Sequence, residues 1–449
     1  MTDNITNLCK KAAEIIHSFP KETRIRVISH YDADGISAAS VICKALYREG
    51  YDFHATLMRN PFDKGLVRVS KETNNLIIFC DMGSGQIETI EKIDCKSIII
   101  DHHQAIKEKP MDNVFQINAN LCGINGNYEA CGASLTFSVA KALNHVNEDL
   151  SPLAVAGFIG DKQYIGGIRG YNKSILDDAV KKGYLVEKIG LKLNGKTLSD
   201  ALFYTVDPYY SGISGDKNGI NSFLKKIGLN MDVKLEDLSD EQLKQVHSYL
   251  LFILIRKGCE KNILDTVIRE RYTSEMLFGC ELERFADLID SCGKGGNRGL
   301  GLSVTLGDKS AFEQAEGFEK EYKKRVLDEL LRLEKDGFKE MKGFRYFYSM
   351  DSSLGGVIGG IATNYLLDRE KPLLSLVRND DEIHVSCRGN QYLVSKGLDL
   401  GVAMKEASTK LGGHGGGHAI ASGATIKIEK EDEFLKMVDD IIIKQLKEA

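Results

Sequence analysis

Four short apolar runs within the first 161 residues each end in carboxylates or imidazoles, and this recurrence constrains the fold more than any other feature. RIRVIS (Arg24–Ser29) runs into His30-Tyr31-Asp32-Ala33-Asp34-Gly35, and LIIFC (Leu76–Cys80) into Asp81. SIII (Ser97–Ile100) runs into Asp101-His102-His103, and AVAGFI into Gly160-Asp161. RIRVIS reads as a strand, and LIIFC and SIII are short apolar runs of the kind expected of strands buried on both faces of a parallel sheet. Helical patterns alternate with them: residues 4–18, Ala38–Tyr47, a crossover over Gln86–Ile93, and an Ala-, Leu- and Val-rich stretch over Ala130–Asn144. The alternation predicts an α/β domain with a parallel sheet over residues 1–172. In such sheets the ligand crevice lies beyond the carboxyl ends of the strands. At least three of the four polar ends are therefore expected on one sheet edge.

The pattern changes downstream. Long charged helices are expected at Asp240–Lys257 and Ala311–Lys342, with the glycine-rich GKGGNRGLG (Gly293–Gly301) between them. Residues 173–342 thus read as a helical insert and linker. Strand signals return after 343 in FRYFYSM, LLSLV, EIHVSCRG and ATIKI, with GGHGGGHAIASG between the last two and an amphipathic helix at the end. Residues 343–449 read as a smaller α/β domain.

Composition removes several function classes. No apolar run reaches the ~20 residues that span a bilayer, and the first residues lack an apolar leader core, so the expectation is a cytoplasmic protein with no membrane partner. The ten cysteines form no CxxC pair and several lie in apolar runs, which predicts buried reduced thiols rather than a zinc ribbon. A net charge of -5 requires any nucleic-acid partner to be held in a local basic channel.

His30, Asp32 and Asp34 alternate in a turn that Gly35 allows to bend, a spacing that can place one carboxylate on each of two neighbouring ions. Oxygen ligands with a minority of imidazole suit Mn²⁺, or alternatively Mg²⁺. Paired ions need a bridging carboxylate, and the lone Asp81 at a strand end is the natural candidate. Adjacent side chains leaving a strand point apart, which assigns His102 to metal and His103 to substrate. Two such ions activate a water for in-line attack on phosphorus. GxSxG, Walker A and HExxH patterns are absent.

These residues resemble the DHH phosphoesterase family, named for the triplet present here as Asp101-His102-His103. HYDADG resembles its first motif, Asp81 its second, the triplet its third, and Gly160-Asp161 its fourth. GGHGGGHAIASG, with His414, Gly416, Gly417 and His418, resembles the substrate motif of the DHH-associated domain, and Ser386-Cys387-Arg388 its short phosphate motif. The resemblance implies one ion held by His30, Asp32 and Asp81, and a second held by Asp34, Asp81, His102 and Asp161. It implies Mn²⁺ as the usual ion, His103, Asp81 and Asp101 as the catalytic set, and phosphate contacts from Ser386, Arg388 and His418. Length and the FADLIDSCGKGGNRGLG segment are most similar to archaeal RecJ-like single-strand exonucleases.

Weaker signals stay open. Lys294 and Arg298 suit either a solvated helix connection or backbone-phosphate contacts. The Lys323, Lys324, Arg325 and Arg332 face reads as solvated surface, and Gly355-Gly356 with Gly359-Gly360 as close helix packing. The expected function is an exonuclease on single-stranded DNA or RNA, with a replisome protein as a further candidate partner. The alternatives are an oligoribonuclease or cyclic-dinucleotide phosphodiesterase, and a replication-complex scaffold that does not cut.

Overall fold

The computed structural model describes residues 2–58, 64–351 and 353–447. The chain packs as two compact units, one of residues up to Gly190 with Arg269–Glu319, the other of Leu191–Ile268 with the residues from Lys320 onward. The stretch 173–342, read from the sequence as one insert, is thus divided between them, and its segment 269–319 folds with the first unit.

The first unit is built on a five-stranded parallel sheet of β1 (Ile25–His30), β2 (Phe53–Met58), β3 (Leu76–Cys80), β4 (Lys96–Asp101) and β5 (Val114–Asn118), in the order β2-β1-β3-β4-β5. Alternation along the strands feeds two cores. Ile28, Ile77, Phe79 and Ile99 face one side with Leu66, Ile87 and Ile90. Val27, Ile78, Ile98 and Ile100 face the other. That second side carries α1 (Thr2–His17), α2 (Ala33–Arg48), α3 (Gly132–Leu143) and α4 (Ser151–Gly160). Helix α2 starts earlier than the expected Ala38 because Asp32 caps it, its Oδ1 accepting from Gly35 N at 3.1 Å.

The fourth apolar run, before Asp161, is helix α4, and every residue from Ser151 to Ile159 is buried. A helix buried all round shows no polar stripe, so over this length it reads like a central strand. The unit continues through a small sheet of β6 (Val186–Leu191), β7 (Ile268–Ser274) and β8 (Cys280–Glu281), then α5 (Leu282–Lys294) and α6 (Arg298–Leu306).

The second unit carries a mixed sheet of β9 (Lys339–Glu340), β10 (Arg345–Tyr348), β11 (Leu373–Arg378), β12 (Glu382–Arg388), β13 (His414–Gly417) and β14 (Ala421–Lys427). Its order is β13-β14-β12-β11-β10-β9, with only β10 and β11 parallel among the described strands. One face buries Ile383, Val385, Cys387, Ala424 and Ile426 with residues of α8 (Leu400–Lys410) and α9 (Glu431–Lys447). The other face meets α7 (Gly355–Tyr365) over β11 and β12. Among the described residues no helix is long and apolar enough to cross a membrane.

Candidate metal centre

The chain leaves β1 toward β2 on one side and returns to β3 on the other, so the switch point of the sheet lies between β1 and β3. Open α/β sheets bind ligands at that point, beyond the carboxyl ends of the strands.

Asp81 stands at its centre. It follows β3 with φ 56°, a left-handed conformation that Asp adopts more readily than most residues. Its carboxylate is 2% exposed and spans two groups of ligands. Oδ1 lies 3.1 Å from His102 Nε2 and 3.9 Å from His103 Nδ1, and Oδ2 lies 3.6 Å from His30 Nδ1. His30 Nδ1 is 2.9 Å from Asp32 Oδ2. His102 Nε2 is also 3.7 Å from Asp34 Oδ2 and 4.0 Å from Asp161 Oδ2. The ligand atoms fall into three overlapping groups, each within 4.8 Å: His30-Asp32-Asp81, Asp34-His102-Asp161 and Asp81-His102-His103.

Missing side chains create this closeness. A Cβ on Gly35 would lie 2.4 Å from the carbonyl oxygen of His30, and one on Gly132 would lie 2.4 Å from Asp81 Cβ. Gly132 opens α3, whose first turn anchors Asp34: Oδ2 accepts from Gly132 N at 2.7 Å and Oδ1 from Ala133 N at 2.8 Å. His102 Nδ1 lies 2.6 Å from the carbonyl of Gly126. Donation of that N–H turns the Nε2 lone pair toward the carboxylates, the tautomer a metal ligand requires.

The electrostatics describe a site short of positive charge. Burial and the neighbouring Asp81 push the Asp34 carboxyl well above the usual carboxylate range. Burial also raises Asp161, to about 6, with Asp81 adding to the effect and His102 opposing it. Burial alone would lower the imidazoles of His30 and His102, yet the carboxylates facing them hold both well above the ordinary value. His30 Nδ1 and Asp81 Oδ1 are buried without a hydrogen bond of adequate geometry. Orphaned ligand atoms and carboxylates too crowded to ionise together are what a divalent cation would relieve. The donor set fits two hard cations.

Asp101, expected in the catalytic set, bonds to the two histidines that follow it and to Ser84. Oδ1 accepts from the backbone N–H groups of His102 (2.8 Å) and His103 (3.1 Å) and faces His103 Nδ1 at 2.7 Å, while Oδ2 accepts from Ser84 N at 2.9 Å. These bonds hold the backbone of both histidines and the ring of His103. His103 is 40% exposed at the rim.

Several residues here were not singled out from the sequence. Gln163 Nε2 donates to Asp161 Oδ2 (2.8 Å) and to the Gly126 carbonyl (2.9 Å), and Asn172 in turn holds Gln163 Oε1 at 2.6 Å. Asn118 and Asn120 hold the carbonyls of His103 and His102 at 2.9 and 2.8 Å. Helix α5 forms a wall: a Cβ on Gly293 would lie 1.8 Å from the Tyr31 carbonyl, and Asp290 accepts from Ala33 N at 3.2 Å. Lys294 bonds Asp290 at 2.7 Å, and the Arg298 guanidinium lies 5.5 Å from the Tyr31 ring centroid. These two cations therefore flank the first motif.

In the second unit, the glycine block forms the edge strand β13. Gly416 pairs with Gly423 and Gly417 with Ser422, at φ 149° and 142° that L side chains rarely adopt. His418 closes a turn onto Ala421. His414, Gly417 and His418 are exposed, whereas Ser386 and Arg388 are half-buried on β12.

Comparison with known proteins agrees with both halves. Residues 24–158 match the model of the DHH family N-terminal domain, and residues 344–444 that of the DHHA1 domain. An uncharacterised protein of Methanocaldococcus jannaschii is 32% identical over 430 residues, 94% of each chain. Among solved structures, CDC45 from Entamoeba histolytica superposes with a TM-score of 0.67 at 13% identity, covering 98% of both chains. RecJ from Thermus thermophilus in complex with Mn²⁺ gives 0.61 at 14% identity, covering 97% of this chain and 55% of that one. The chain thus spans about half the length of that RecJ. At these identities the structural matches establish the fold.

Proposed function

Since the chain belongs to the DHH family, we propose that it is a two-metal phosphodiesterase acting as an exonuclease on single-stranded DNA or RNA. The observation that carries this reading is the convergence of His30, Asp32, Asp34, His102 and Asp161 around the buried Asp81. His30, Asp32 and Asp81 would hold one cation, and Asp34, Asp81, His102 and Asp161 the other. When bound, Mn²⁺ or Mg²⁺ supplies a nucleophilic water near neutral pH and charge to offset the phosphoryl oxygens.

The chain's own residues do the rest. Asp81 fixes the spacing of the two groups, and the α3 N-terminus holds Asp34 in register. Asp101 orients His103, whose imidazole is raised above its ordinary value: burial and His102 oppose this, and Asp101 outweighs them. From the rim, His103 would donate an N–H to a phosphoryl oxygen and offset its developing charge. Ser386, Arg388, His414, His418 and the backbone of Gly416 and Gly417 would contact the sugar-phosphate chain, which carries affinity without reading sequence.

The test is one gel. Single-stranded DNA and RNA, labelled at the 5′ or 3′ end, are incubated with the protein and Mn²⁺. Stepwise loss of nucleotides from one end is expected; inertness on every substrate in saturating Mn²⁺ would end the reading. The full-length match to CDC45 supports a second reading, a non-cutting scaffold that binds a replication protein, and inert protein that takes up no Mn²⁺ would favour it.

A further inference from the structure

Away from the metal ligands, the first unit contains a cleft of about 450 Å³. It lies between α1, the second half of α3, the start of α4 and the helix Gly170–Lys181. Space of roughly 300–1,000 Å³ is what sites for small organic ligands offer. The floor is apolar, with Phe137, Ile175 and Ala179 buried there. The mouth is charged: Lys10 and Lys182 are exposed and Lys141 is half-buried. Facing these three lysines are two carboxylates, Glu148 and Asp178, and Lys182 bonds Glu148 at 2.6 Å. One cation is therefore left in excess, in a chain whose net charge is -5.

The walls of the cleft continue to the metal ligands. Helix α3 reaches the cleft with Phe137, Ser138 and Lys141, and its first turn holds Asp34 through the N–H groups of Gly132 and Ala133. Helix α4 begins at the cleft with Ser151 and ends just before Asp161, about 15 Å away at 1.5 Å per residue. The hydroxyl of Tyr171, on the third wall, bonds that of Ser138. Its neighbour Asn172 holds Gln163, which donates to Asp161. A body seated in the cleft thus touches each element that fixes Asp34 or Asp161 from behind.

We propose that the cleft is an effector site: it takes a small organic monoanion with an apolar body, and occupancy stiffens the helices that hold Asp34 and Asp161. The apolar floor takes the body, and the excess lysine charge takes the anionic group. A multiply charged phosphate ester fits less well, because Glu148 and Asp178 stand among the lysines. Filling the space adds contacts to three helices at once, and order gained at one end of a packed helix is shared with the other. Binding there is independent of what the metal centre hydrolyses.

The probe is anilinonaphthalene sulfonate, a monoanion with an aromatic body, titrated into the full-length protein in chelator and followed by fluorescence. Saturable binding to one site is expected. Phenylnaphthylamine, which has the rings without the charge, should bind about tenfold more weakly or worse, the scale of one charge-assisted contact. Lys141→Glu reverses a charge at the mouth and Ala142→Phe fills the cleft, and each should weaken the dye by about tenfold or more. Lys11→Glu, on an exposed residue outside the cleft, should bind as the wild type does. If Ala142→Phe fails to fold, Lys141→Glu decides. No dye binding, equal affinity for the neutral analogue, or variants that bind normally would overturn the site. In the same metal-free protein, saturating dye should slow amide hydrogen exchange at Gly132 and Ala133 by about fivefold or more, a usual size of coupling between sites. Unchanged exchange would overturn the effector role. Protein that shows both effects but cleaves no oligonucleotide would end the nuclease reading and leave this site standing.

Discussion

The carboxylate rim of the first unit and the glycine strand of the second are both sheet edges that present polar groups, yet they are held in opposite ways. At the rim each ligand is fixed from behind: Asp34 by two N–H groups of α3, His102 by the Gly126 carbonyl, and Asp161 by Gln163. On β13 and in the turn after it, His414 and His418 are exposed, and a Cβ on Gly416 would meet nothing within 4 Å. A cation demands ligands at set distances, so its site is buried and overdetermined. A phosphate backbone that must slide past needs room and charge. Substitutions should therefore act differently in the two regions.

The largest break is expected at Asp81→Asn. The amide keeps the size and the tolerance for φ 56° but cannot bridge two cations. Metal-dependent cleavage should fall by at least about a thousandfold, comparable to the loss of a principal transition-state contact. Elemental analysis should show lost metal while circular dichroism stays native. Full activity would remove the bridging role. Next is Asp101→Asn, which sets an amide N–H against the Ser84 N–H that the carboxylate now accepts. A loss of about 10–100-fold in activity or Mn²⁺ affinity is expected of a group that orients ligands; an unchanged pair of values would deny Asp101 that task.

Arg388→Ala sharpens the comparison from the other side. Its effect should be about tenfold on activity, the scale of one charge-assisted contact, with both metals retained. Metal loss in this variant would mean that the two regions do not divide the work.

A milder effect comes from pH. In metal-free protein the Asp34 and Asp161 pKa values are raised, so the folded state holds protons that the unfolded chain releases. Stability from these groups falls as pH rises, for Asp161 between the ordinary carboxylate value and about 6. The raised His30 and His102 contribute stability that is complete below their ordinary value and lost as pH climbs through the folded one. Asp32, Asp81 and Asp101 are lowered and stay ionised throughout this range. The rise in melting temperature on adding Mn²⁺ should therefore grow by several degrees from pH 5 to pH 8. A constant rise would mean that protons and cations do not compete there.

Much of the rim was legible because runs such as LIIFC and SIII are buried on both faces and end in their ligands. The family motifs placed the rest, including Asp161, although its run proved helical. What escaped has no local signature. Gln163, Asn118 and Asn120 act on carbonyls of residues distant in sequence. Helix α5 carries Glu, Arg and Asp like any solvated helix, and it is tied to the first motif by the contact of Gly293 with Tyr31 and the bond of Asp290 to Ala33 N, neither of which its own sequence discloses. The edge strand β2 has a half-buried, mixed pattern that offers little period to read. The α7 glycines were expected to mark close packing, but a glycine pattern does not disclose that the facing residues are Ser375, Ser386 and Arg388.

The smallest effect separates the two units at a single atom. Gly157 in α4 and Gly360 in α7 are both interior helical glycines, which lower helix stability by roughly 0.5–1 kcal/mol relative to Ala. A Cβ on Gly157 would lie 2.4 Å from Ala133 Cβ and 2.8 Å from Asp34 Oδ1, whereas one on Gly360 meets nothing within 4 Å. Gly360→Ala should therefore stabilise the fold by that propensity alone, and chemical denaturation would read it. Gly157→Ala should instead destabilise by about 1–3 kcal/mol, the usual cost of overpacking, and should weaken Mn²⁺ binding through Asp34. If both alanines stabilised alike, the helices behind the rim would have slack, and close packing could not be what holds the ligands in place.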